Sequence, residues 1–159
     1  MSIPSSSLSD FIALSEILTG FSEFKLNGTG QTERYYATVS NIVGEATMSE
    51  LLSTYTALID TSGDDTALID KKLRADILSS EKLGPIARNL IKLWYIGTWY
   101  KLPDAWHAQF ESASEDHDFV PHPNSYVEGL LWPAIGAHPP GAKAPGYGTW
   151  TDAPNIPAT

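Results

Sequence analysis

Gly84-Pro-Ile-Ala-Arg-Asn-Leu-Ile-Lys-Leu-Trp-Tyr-Ile-Gly-Thr-Trp99 is the stretch whose reading decides the fold. Proline suits the first turn of a helix, because its missing N–H is one that no helical turn would bond. Behind it Ile86, Leu90, Leu93, Trp94 and Ile96 recur at helical spacing and make the strongest apolar segment of the chain. Upstream segments repeat the pattern. Ser7 or Ser9 caps a helix carrying Phe11, Ile12, Ser15 and Leu18 that ends at Gly20, and Gln31 to Val43 carries Tyr35, Tyr36, Val39 and Ile42 before Gly44. Thr47 and Glu50 have the spacing of a capping box ahead of Leu51, Leu52, Tyr55, Leu58 and Ile59. Asp64 or Asp65 opens a further helix through Leu68, Ile69, Leu73 and Ile77. No six residues alternate cleanly between apolar and polar, so strands are at most minor. The pentapeptide Thr56–Asp60 recurs as Thr66–Asp70, a ten-residue spacing that is no solenoid period.

Prolines divide the chain. Three of eleven precede residue 121 and eight follow from there on. Leu102-Pro103-Asp104 reads as a turn into a short helix, and Glu115–Asp118 as a solvated acidic loop. Ser125 and Glu128 form a second capping box, opening a brief helix through Leu131 and Trp132 that Pro133 ends. Beyond it, Ala137 to Trp150 is too rich in Pro and Gly for a helix or a central strand. The expectation is a mainly α fold: a helical domain of five to seven helices over residues 1–132, then an extended Pro/Gly-rich tail over 133–159. That tail lies either on the chain's own core or on a partner.

Composition bounds the function. At 159 residues the chain is one domain's worth, and 42% hydrophobic content suits a packed core rather than disorder. Charged residues make up 18%, with 10 basic against 19 acidic and a net charge of −9. Such a surface repels phosphate backbones and anionic headgroups, so nucleic-acid and polybasic membrane roles are excluded. The absence of cysteine excludes thiolate chemistry, Cys-ligated zinc and iron–sulfur clusters. No apolar run is long enough to span a bilayer. The first seven residues have neither a basic n-region nor an apolar h-region. The expectation is therefore a cytoplasmic chain, a mature periplasmic form, or a chain carried by a partner.

A catalytic constellation is hard to draw. His107, His117 and His122 with Glu111 could be offered as a metal-dependent site, but their spacing matches no ligand motif. No serine sits in a Gly-x-Ser-x-Gly turn, and Asn27-Gly-Thr-Gly30 reads as a connection between helices rather than a dinucleotide loop. Asp70 and Arg74 form an ordinary i,i+4 surface pair. The aromatics say more. Trp94, Tyr95, Trp99 and Tyr100 fall within seven positions, and Tyr126, Trp132, Tyr147 and Trp150 continue the supply beside Pro145. Such residues either fill a small core or anchor a protein interface. All nine are candidate partner-interface residues. A stand-alone helical protein binding a small apolar ligand among its tryptophans is a further reading.

Three stretches carry a resemblance: Leu90 to Trp99, Tyr126-Val-Glu-Gly-Leu-Leu-Trp132, and Gly141-Ala-Lys-Ala-Pro-Gly-Tyr-Gly-Thr-Trp150. Together with the opening helix Phe11 to Gly20, they resemble the small subunit of bacterial FAD-dependent sugar and polyol dehydrogenases, the sorbitol, fructose and glucose dehydrogenase complexes. The resemblance implies a non-catalytic chain without cofactor, catalytic residue or metal ligand of its own. Its partner would be a large FAD-bearing subunit of the glucose–methanol–choline oxidoreductase type, which it binds, stabilises and helps to fold and export. A cytochrome c subunit often completes such complexes. Members usually begin with a twin-arginine signal and many carry a cysteine near the C-terminal tail; this sequence has neither.

Overall fold

In the computed structural model, which describes residues 5–110 and 115–142, the segment from Leu83 forms the central helix. Nine α-helical segments are present among the described residues: α1 (Ser5–Thr19), α2 (Glu23–Gly28), α3 (Thr32–Val43), α4 (Glu45–Ser62), α5 (Thr66–Lys72), α6 (Leu83–Ile96), α7 (Asp104–Gln109), α8 (Pro123–Val127) and α9 (Leu131–Ala134). A π-helical turn, Leu73–Leu78, continues α5. The fold is mainly α, as expected. There are more segments than five to seven because α2, α7, α8 and α9 each have six residues or fewer.

The apolar stripes meet in one core. α1 packs on α2, α3, α4 and α6, while α6 packs on α3, α8 and the π turn. Phe11 and Leu14 of α1, Val39 of α3, Leu51 of α4, Ile77 of the π turn and Ile86, Leu90 and Leu93 of α6 are all fully buried. At the centre Tyr35 meets Trp94 edge-to-face, with ring centroids 4.8 Å apart. Such a pair adds about 0.5–1.5 kcal/mol beyond its buried area. Among the described residues the β structure is one isolated bridge, between Trp99 and Phe119.

Several local expectations are corrected. α4 begins at Glu45 with Gly44 at its cap, so Thr47 is buried in the first turn and forms no capping box. α6 begins at Leu83, one residue before Gly84, and the Ser80 hydroxyl accepts the Leu83 N–H at 3.1 Å. α8 begins at Pro123 and is capped by His122, whose Nδ1 accepts the Asn124 N–H at 3.1 Å, which leaves Ser125 buried inside the helix. Pro133 lies within α9 rather than ending it, in a first turn whose N–H groups have no intrahelical partner anyway. α9 thus runs across the expected domain boundary at 132. The first part of the expected tail is coiled: Ile135 N bonds Leu131 O at 3.0 Å, Ala137 N bonds Trp132 O at 2.9 Å and Ala142 N bonds Pro139 O at 3.2 Å. Residues 143–159 lie outside the described residues.

Candidate functional site

Gly97 ends α6 in the left-handed region (φ 68°), and a Cβ there would lie 2.4 Å from the Ser125 carbonyl oxygen. Glycine is required for both reasons, and it lets the α8 backbone lie directly against the end of α6. Gly129 makes the reciprocal approach, since its Cβ would lie 2.7 Å from the Tyr95 carbonyl oxygen. The Leu130 N–H then donates to the Trp94 carbonyl at 3.0 Å. Two of the stretches that carry the resemblance, Leu90 to Trp99 and Tyr126 to Trp132, are therefore one docked unit, joined backbone to backbone.

The structure sorts the aromatic candidates by depth. Trp94 is 1% exposed and Trp99 0%, so both belong to the core of the chain and offer a partner no surface. Tyr95 is half-buried: its hydroxyl donates to the Thr19 carbonyl at 2.8 Å and its ring meets Phe21 edge-on at 6.0 Å, tying α6 to the end of α1. Tyr100 is half-buried under Lys92, whose Nζ lies 5.0 Å from the ring centroid, and its carbonyl accepts from the Asn89 amide. Tyr126, 45% exposed, meets the half-buried Trp132 edge-to-face at 5.3 Å, and the Trp132 indole N–H donates to the Tyr126 carbonyl at 2.8 Å. Tyr126 and Trp132 are thus the surface members of the set. Pro145, Tyr147 and Trp150 lie outside the described residues.

The acidic loop corrects another expectation. The Asp116 side chain is 1% exposed and takes three hydrogen bonds. The Trp99 indole N–H donates to Oδ1 at 2.7 Å, the Leu102 N–H donates to Oδ2 at 2.7 Å, and His107 Nε2 lies 3.0 Å from Oδ2. Asp118 accepts the Lys101 N–H at 2.7 Å, and Trp99 and Phe119 exchange backbone bonds of 2.9 and 3.0 Å. The segment is a clasp over the α6–α7 connection. The candidate histidines are dispersed: His107 faces Asp116, His117 tilts over Phe119 at 5.2 Å, and His122 caps α8. Glu111 lies outside the described residues. Among the described residues no three His, Asp or Glu side chains gather into a metal-binding group.

Sequence reasoning missed Phe24. It is 89% exposed on α2, the most exposed of the large apolar side chains named for the described surface. Its signal was faint: one Phe in the short segment Glu23-Phe-Lys-Leu-Asn-Gly28, where Leu26 is the buried member. Phe24 and Lys25 line a half-open groove of about 490 Å³ together with Val127, Gly129, Trp132, Pro133 and Gly136 to Pro139. Among the described residues no helix is long and apolar enough to cross a membrane. No family model, curated protein or solved structure matches this chain.

Proposed function

We propose that this chain is a non-catalytic accessory subunit that binds and stabilises a large FAD-dependent sugar or polyol dehydrogenase, a flavoprotein of the glucose–methanol–choline type. The observation that carries the reading is the docked unit of Leu90–Trp99 and Tyr126–Trp132. The stretches that resemble the dehydrogenase small subunit depend on each other for their place, and their outer side chains, Tyr126 and Trp132, stand at the surface. Aromatic side chains with a hydrogen-bonding edge are the usual anchors of protein interfaces. The partner holds the FAD and the substrate pocket, and this chain supplies surface. A periplasmic site of action goes with the same reading.

Co-expression with the flavoprotein tests it. The tagged chain is expected to retain the large subunit with its flavin, and Trp150→Ala or truncation after Gly136 is expected to weaken that retention. Retention unchanged by both alterations removes the C-terminal segment from the interface, and no retention by the unaltered chain refutes the reading.

A further inference from the structure

We propose that Asn27 is a site of spontaneous covalent modification, in which the backbone nitrogen of Gly28 attacks the Asn27 side-chain amide and leaves a new carboxylate at the α2–α3 connection. Asn27 is the one asparagine of the sequence followed by glycine, the residue that shields its own backbone nitrogen least. Both residues are exposed. The Gly28 nitrogen forms a bond to Asn27 Cγ and loses its proton, and Nδ2 leaves with a proton as ammonia. Water then opens the resulting succinimide ring. Opening at Cγ gives an aspartyl residue. Opening at the main-chain carbonyl gives an isoaspartyl residue, whose backbone runs through the former side chain.

The fold decides whether the attack can occur. A helical N–H points along the axis to the preceding turn, so α2 must open at its end before the Gly28 nitrogen can reach Cγ. α2 is weakly held: it has six residues, too few for a helix to be stable alone, and Leu26 is its one buried residue. Past Gly28 the bonds tighten to the i→i+3 type, Thr29 N to Leu26 O at 3.1 Å and Gly30 N to Asn27 O at 3.0 Å, as at a fraying end. Such ends open at little free-energy cost. The product has a place as well. The Thr32 hydroxyl, at the start of α3, donates to Asn27 Oδ1 at 3.0 Å, so the new charge lies beside a helix N-terminus, where negative charge is favoured. The isoaspartyl form lengthens the backbone just ahead of Thr29, whose hydroxyl donates to the Leu26 carbonyl at 2.7 Å and accepts the Gln31 N–H at 3.2 Å. Gln31 is 4% exposed and its Oε1 accepts the Ser125 hydroxyl at 3.4 Å, so that lengthening disturbs the contact with α8.

The test incubates the full-length chain at neutral pH and follows the digested peptide that holds Asn27 by mass spectrometry. That peptide is expected to gain about 1 Da, while those holding the other four asparagines stay unchanged. Gly28→Ala is expected to slow the gain at least about tenfold, because a methyl group obstructs the approach of the nitrogen to Cγ. A Cβ at Gly28 would have no atom from elsewhere in the chain within 4 Å, so this variant reports the attack and not a packing defect. Leu26→Ala removes the anchor of α2 and is expected to speed the gain severalfold, with helical circular dichroism checking that the remaining helices are folded. Asn27 left intact in the folded chain, while a free peptide of residues 22–32 is converted, overturns the proposal, because α2 then protects the site. Equal rates for Gly28→Ala and the unaltered chain overturn it in favour of direct hydrolysis of the amide by water. A rate that Leu26→Ala leaves unchanged overturns the opening of α2 as the step that admits the attack.

Discussion

Asp116 shows how much one side chain can organise. Its carboxylate joins the indole of Trp99, the amide of Leu102 and the ring of His107, and it is nearly inaccessible to water. Removing it strands buried donors, each costing about 1–3 kcal/mol when left unpaired. Asp116→Ala is therefore expected to lower unfolding free energy by at least about 2 kcal/mol in urea titrations, with Trp99 reporting the change in fluorescence. Exposed Asp70, paired with Arg74 at 3.0 Å, sits where such pairs contribute little, and Asp70→Ala is expected to leave the urea midpoint almost unchanged. Two tyrosines contribute a dependence on alkaline pH. Burial pushes the Tyr35 hydroxyl above its ordinary 10.0, partly offset by the Ser125 hydroxyl and the Arg34 charge. Burial likewise raises Tyr55, helped by the carboxylates of Glu16 and Asp10. In both cases the unfolded chain loses its proton first, so the folded state binds more protons above pH about 10 and stability falls as pH rises. Urea midpoints are expected to be flat from about pH 8 to 9 and to decline beyond pH about 10, and the decline is expected to be smaller in Tyr35→Phe. The buried role of Asp116 was not legible in the sequence. An acidic run looks solvated until a contact 17 positions back, to Trp99, is known.

The helices divide into those that local pattern reveals and those that packing decides. α1, α3 and α6 were legible because apolar residues at helical spacing and a closing glycine agree with the fold that results. Both capping boxes misled for a common reason: Thr47 and Ser125 are drawn into the interior by their neighbours, and the helices start upstream of them. Ile96 misled too, since the stripe of α6 ends at Trp94 and leaves Ile96 38% exposed. This gives a contrast within one element. Leu90→Ala, at a fully buried position, is expected to cost about 2–5 kcal/mol, while Ile96→Ala is expected to stay within about 0.5 kcal/mol of the parent in urea unfolding. Gly97→Ala tests the junction between α6 and α8. Its φ of 68° and the 2.4 Å approach to Ser125 both oppose a methyl group, so a loss of more than about 1 kcal/mol is expected, with a changed environment at Tyr126 seen by NMR.

At the scale of the molecule, the sequence showed a helical body and an aromatic supply, but not which aromatics the body would use for itself. Trp94 and Trp99 went to the core, Tyr126 and Trp132 to the surface, and exposed Phe24 came from a segment with no pattern to announce it. Burial is a property of the assembled chain, and spacing along one helix does not determine it. What the molecule presents outward is an acidic surface interrupted by Phe24, Val120, Tyr126 and Ile135. A chain that stabilises a flavoprotein must bind its folded state in preference to its unfolded one, and that difference appears as yield of the folded complex. The most direct measurement is the amount of soluble, FAD-loaded large subunit made with and without this chain, read by flavin absorbance and sugar-dependent reduction of a dye. An accessory role predicts abundant FAD-loaded enzyme in the co-expression, mostly insoluble large subunit without this chain, and no flavin on this chain alone. Equal yields of active flavoprotein in both cultures, or flavin bound to the isolated chain, would contradict it.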